Sequence, residues 1–140
     1  MAAAEAGNAG LADRVNFLEA DARTMERRPE FVNVELLMCF MMGHDFWPRQ
    51  QCVNTLRHLN VLFPNVRRFL LGDATRTVGV TDRDLPVFAL GFELAHDMMG
   101  AFLPTTADWE SVFEESGWRL LRKYWINVAV GEVIFELEHL

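Results

Sequence analysis

Cysteine is scarce in this chain: Cys39 and Cys52 are the only two in 140 residues. Both fall inside apolar patterns and neither belongs to a CxxC pair, which excludes a disulfide-dense secreted scaffold and favours a reducing compartment, the cytoplasm. Basic charge is scarce as well. Thirteen Lys and Arg stand against 20 Asp and Glu, for a formal net charge of -7 and a pI near 5.0. Nucleic-acid binding draws on a basic surface that releases counterions, so DNA and RNA are excluded as partners. No apolar run reaches the roughly 18 residues needed to cross a bilayer. The opening "MAAAEAGNAG" lacks the basic start and apolar stretch of a signal peptide. There is no internal repeat, and no low-complexity segment beyond that Ala-rich start. What remains, 51% hydrophobic and 24% charged, is the balance of a globular chain of one domain at most.

The hydrophobic period changes along the chain. "RVNFLEADA" carries a short strand-like run, Val15 to Leu18, ending in acids, and "FVNVELLMCFMMG" (31–43) reads as a strand covered on both faces because it has no wet side. Cys52, Leu56, Leu59 and Phe63 then sit four, three and four apart, one stripe of an amphipathic helix closed by Pro64. "VRRFLLG" (66–72) is a further strand, and the polar run Asp73 to Arg83 with Gly79 fits either a lid over a site or a plain loop. Two helices follow: "PVFALGFELAHDMMGAF", with proline at its first turn, and "TTADWESVFEESG", with Thr105 or Thr106 as cap and Gly117 past its end. "WRLLRKYWI" and "VGEVIFELEHL" are so close together that only antiparallel pairing can join them. Strands alternating with helices specify an open α/β sheet.

In such sheets ligands bind beyond the carboxyl ends of the strands. The stretch "LLMCFMMGHDFWP" (36–48) therefore places His44 and Asp45 where an α/β enzyme presents side chains to substrate. Phe46 and Trp47 either wall an aromatic pocket or anchor the next helix. Met38, Met41 and Met42 read as adaptable core filling. His58 and His139 read as solvated.

The order of elements, with its terminal hairpin, resembles the second half of a class I S-adenosylmethionine-dependent methyltransferase. "GLADRVNFLEADA", "MGHDFWP", "NVRRFLLGD", "FELAHDMMGAFLPT" and "FEESGW" are closest to the metal-dependent α-keto acid C-methyltransferases of nonribosomal-peptide pathways, a resemblance that covers nearly the whole chain from Gly10. It implies that His44 and His96, 52 residues apart, are the ligands of an iron or another divalent or trivalent metal, with His44 and Asp45 at the catalytic centre. Asp45 or Asp97 is then expected to hold an imidazole tautomer, or to serve as a helix-end charge. It implies that Asp21 contacts the adenine of S-adenosylmethionine. The substrate would be an α-keto acid, methylated at the carbon next to its ketone.

One departure stands against the match. The family's glycine-rich cofactor loop has no counterpart, since the chain contains no GxGxG. The expected fold is accordingly α/β, the C-terminal part of a Rossmann-like class I sheet ending in an antiparallel hairpin and lacking the first two strands. Residues 1–140 would be a partial catalytic domain, inactive alone, completed by a homodimer or by a chain that supplies the missing strands. Two other functions fit the same residues: a metal-independent small-molecule O-methyltransferase using His44 or His96 as base, and a non-catalytic remnant or interaction subunit.

Overall fold

The computed structural model describes residues 2–79, 81, 86–127 and 132–140. In chain order the elements are α1 (Ala2–Asn8), β1 (Leu36–Phe40), α2 (Arg49–Leu62), β2 (Arg68–Asp73), α3 (Val87–Met99), α4 (Thr106–Phe113), β3 (Trp118–Asn127) and β4 (Glu132–His139). Short 3-10 turns precede β1, follow β1 and follow α4. The sheet runs β1-β2-β4-β3. Its first pair is parallel, and the other two are antiparallel. A parallel pair that continues into a terminal antiparallel hairpin is the architecture expected from the sequence.

One face of the sheet carries the core. Phe69 and Leu71 on β2, Val133, Phe135 and Leu137 on β4, and Trp118 on β3 are all fully buried. They form one cluster with Cys52, Val53, Leu56 and Leu59 of α2 and with Trp109, Val112 and Phe113 of α4. The stripe on α2 thus lands where its spacing aims it. Trp118 ties the layers together, its indole N–H donating to the Leu56 carbonyl at 2.9 Å. Helix α4 starts at a capping box: the Thr105 hydroxyl accepts from the Asp108 N–H while the Asp108 carboxylate accepts from the Thr105 N–H. Gly117, at φ 86°, ends the turn after α4 in the left-handed region. Both cysteines are free and buried, and burial pushes each thiol up to about 12, so neither is a nucleophile near neutral pH.

Several expectations from the sequence are corrected. Val15 to Leu18 form no strand; the segment is irregular, and Val15, Phe17 and Leu18 are 38%, 54% and 41% exposed. A strand exists only through a neighbour's hydrogen bonds, and among the described residues this segment has none. Strand β1 is not covered on both faces. It lies at the end of the sheet, with Leu36, Met38 and Phe40 exposed on one side and Cys39 buried on the other. Met41 and Met42 are exposed too, so the three methionines do not fill a core here. His58 and His139 are not solvated: His58 Nε2 donates to the Met25 carbonyl at 2.8 Å. His139 Nε2 donates to the Phe63 carbonyl at 3.0 Å, and its Nδ1 accepts from Asn60 at 2.9 Å. Part of the run from Asp73 to Arg83 that fits a lid lies outside the described residues.

The Phe135 ring packs against both Trp109 and Phe113, joining β4 to α4. Phe135→Ala should lower unfolding free energy by about 3 to 5 kcal/mol in urea denaturation. A loss below about 1 kcal/mol would mean that the sheet and α4 are not held together by this contact.

Candidate active site at the ends of the parallel strands

Strand β1 ends abruptly. Met41 adopts φ 53°, a conformation that costs a side chain energy, while its N–H still donates to the Gly72 carbonyl at 2.8 Å. The chain then folds into the 3-10 turn Gly43–Phe46. Gly43 is required by space: a Cβ there would lie 2.9 Å from Asp73 Oδ2 and 3.0 Å from both Leu71 Cδ1 and Trp109 Cη2. This close approach delivers His44 onto Asp73, the last residue of the neighbouring strand β2.

Asp73 is the residue that the sequence reading missed. Its side chain has no exposed surface. Oδ2 accepts from the His44 N–H at 2.7 Å, and Oδ1 lies 2.7 Å from His44 Nδ1 and accepts from the Ala74 N–H at 2.9 Å. A carboxylate oxygen at that distance places the ring proton on Nδ1 and leaves Nε2 bare in the neutral ring. The hydrogen bond to Asp73 raises the His44 pKa above its ordinary value of 6.5, with burial opposing the shift. Asp45 does not hold this tautomer. Its carboxylate is 76% exposed and 3.9 Å from His44 Nε2, because the 3-10 turn points it away from the ring's Nδ1 side. The tautomer-holding role expected of Asp45 belongs to Asp73.

His96 arrives from α3. It is buried at 7% exposure, and its Nδ1 donates to the Phe92 carbonyl one turn earlier at 2.8 Å, so its Nε2 is bare as well. The two imidazoles meet: their ring centroids are 5.1 Å apart at 77°. Phe92 packs against both, at 5.6 Å from His44 and 4.2 Å from His96. Asp97, the other carboxylate expected beside the imidazoles, is turned outward to Arg76. Among the described residues no group of three or more His, Cys, Asp and Glu is arranged to hold a metal ion. His44 and His96 are the imidazoles that meet here, each with its Nδ1 held by Asp73 or by the Phe92 carbonyl.

Beside the turn, a cleft of about 770 Å³ opens between residues 18–25 and Met42, Asp45 and Phe46. Asp21 lines it, its carboxylate taken up by Arg23 through the backbone N–H at 2.9 Å, Nε at 2.9 Å and Nη2 at 2.8 Å. These hydrogen bonds hold Asp21 down at about 2, a fixed anion on the cleft wall. Phe46 is buried in the core. Trp47 packs on Phe102 and Trp109 at 5.1 and 5.6 Å; both residues anchor the turn and α2. The indole N–H groups of Trp47 and Trp109 are buried with no partner among the described residues.

No protein-family model matches the chain. It is 49% identical over 147 residues to the methyltransferase ungE' of Aspergillus campestris, an alignment covering 99% of this chain and 43% of that protein. The chain thus spans less than half the length of this curated relative. Among solved structures it superimposes on the mitomycin 7-O-methyltransferase MmcR with a TM-score of 0.73 at 21% identity, covering 99% of this chain and 38% of that one. It also matches LepI in complex with SAM, with a TM-score of 0.65 at 13% identity, covering 94% and 33%. The fold is that of the C-terminal part of a class I, Rossmann-like methyltransferase sheet.

Two predictions follow from the Asp73 contact. Gly43→Ala should cost about 1 to 3 kcal/mol of stability by calorimetry, since strand, indole and carboxylate all resist displacement. An unchanged unfolding temperature would mean that the turn has room. His44 is held protonated more tightly in the folded chain than in the unfolded one. Its contribution to stability is then complete below about pH 6.5 and is lost as pH rises through the higher folded pKa. The stability advantage of the native chain over His44→Gln should shrink as pH rises above about 6.5. An advantage that grows with pH would reverse the assignment.

Proposed function

We propose that this chain is the C-terminal part of the catalytic domain of an S-adenosylmethionine-dependent methyltransferase, and that its acceptor is an α-keto acid methylated at the carbon next to the ketone. The methyltransferase reading is supported by the 49% identity to ungE', and the cofactor by the SAM complex of a structural neighbour. Fold alone would not suffice, because one sheet hosts many chemistries. The observation that carries the finer reading is the meeting of His44 and His96 with both Nε2 atoms bare.

Two neutral imidazoles, each fixed by a hydrogen bond through its other nitrogen, fit a borderline metal ion such as iron or zinc and leave further positions for a bidentate acceptor. Such an ion supplies Lewis acidity, polarising a ketone and acidifying the neighbouring C–H. The chain's own residues do the rest. Asp73 Oδ1 keeps the His44 proton on Nδ1, and the Phe92 carbonyl does the same for His96. Phe92 packs its ring against both imidazoles. Asp45, exposed on the cleft beside His44, would take the proton that the acceptor carbon gives up, and S-adenosylmethionine bound in the cleft would supply the methyl group that replaces it. Asp21, fixed by Arg23 on the cleft wall, receives the adenosine end.

A second reading is favoured by one observation. The Asp73–His44 contact at 2.7 Å is also the geometry of a general-base dyad, in which His44 Nε2 takes a proton from a hydroxyl undergoing O-methylation. His96 is then dispensable. Cobalt(II) titration of the chain, followed by absorption, separates the two. C-methylation predicts about one ion per chain, with affinity falling at least ~100-fold in His44→Ala and in His96→Ala alike. Absence of binding in the native chain would leave the dyad.

A further inference from the structure

Helix α3 carries two local penalties. Glu93 and Asp97 are like charges one helical turn apart, which repel. Asp97 also lies in the last turn, beside Gly100, where the helix dipole disfavours an anion. One cation offsets both. Arg76, three residues beyond Asp73, forks between them: Nη2 bonds Asp97 Oδ1, and Nη1 lies 3.4 Å from Asp97 Oδ2 and 3.6 Å from Glu93 Oε2. The backbone joins in, with the Thr77 N–H donating to Glu93 Oε1 at 2.9 Å and the Arg76 N–H to the Pro104 carbonyl at 2.9 Å. Glu93 is 12% exposed and Arg76 34%, so the fork is partly withdrawn from water.

His96 sits between the two clamped acids in sequence. The segment leaving β2 therefore grips both imidazoles, His44 directly through Asp73 and His96 through the turn of α3 that Arg76 holds. Isolated exposed ion pairs fix little. A guanidinium shared by two carboxylates, with a backbone N–H on one of them, fixes a helix in both rotation and height.

We infer that Arg76 is a positioning residue which, by bridging Glu93 and Asp97, sets the distance between His96 and His44. The inference rests on the proposed metal-binding reading for its consequence, but not for its geometry. Its test uses Arg76→Gln and Arg76→Lys in the 140-residue chain, with three readouts: the nuclear Overhauser contact between the His44 and His96 rings, cobalt(II) affinity, and the urea unfolding midpoint. Arg76→Gln should lose the inter-ring contact and weaken cobalt binding ~10 to 100-fold, with the Trp118–His139 ring contact unchanged and the unfolding midpoint lowered only slightly, as the loss of a partly exposed ion pair does. Arg76→Lys should restore part of both, since an ammonium can pair with Asp97 but cannot fork. Adding Asp97→Asn to Arg76→Gln should bring little further loss. An inter-ring contact that survives Arg76→Gln, or one lost only together with the Trp118–His139 contact and the unfolding midpoint, overturns the positioning role. If the native chain binds no cobalt, the metal reading fails, and the ring contact still decides the role of Arg76.

Discussion

The Asp73 carboxylate, with no exposed surface, is stable in this fold because its acceptor sites are filled. A buried anion left short of partners costs several kcal/mol, and here three N–H groups converge on it: two from His44 and one from Ala74. That requirement fixes the rest of the site. It needs β1 and β2 parallel and adjacent, so that their carboxyl ends come together. It needs Gly43, where any side chain would press on the carboxylate. It also sets the tautomer of His44, the property on which either chemical reading depends.

From this contact the two halves of the site are built with different materials. His44 is held by a buried, directly bonded anion. His96 is held by its own helix through the Phe92 carbonyl, and that helix is held by partly exposed charges from the same β2 exit segment. The first arrangement is rigid, and the second is open to adjustment by solvent and salt. The aromatic ring of Phe92 lies against both imidazoles and closes the gap between these unequal supports.

Much of the architecture was legible in the sequence where one physical signal dominated. The stripe from Cys52 to Phe63 specified α2, a cap at Thr105 or Thr106 placed the start of α4, where the structure uses Thr105, and the short link between the last two runs specified an antiparallel hairpin. The rule about strand ends located His44, and family resemblance paired it with His96. What escaped was relational. The apolar run of β1 implied two covered faces, whereas one is open. Asp73 passed for the first residue of a polar loop, although the same strand-end rule that singled out His44 applied to it. Arg76 left no signal at all, because its meaning lies in two acids brought near by the fold of α3.

The central claim is that both imidazoles carry their proton on Nδ1 and leave Nε2 bare. Long-range nitrogen–proton correlation spectra of the histidine side chains, recorded where the rings are neutral, test it most directly. The Nδ1–H tautomer for both His44 and His96 is the predicted result. An Nε2–H tautomer at either ring would contradict it, because that nitrogen could then neither bind a metal nor accept a substrate proton.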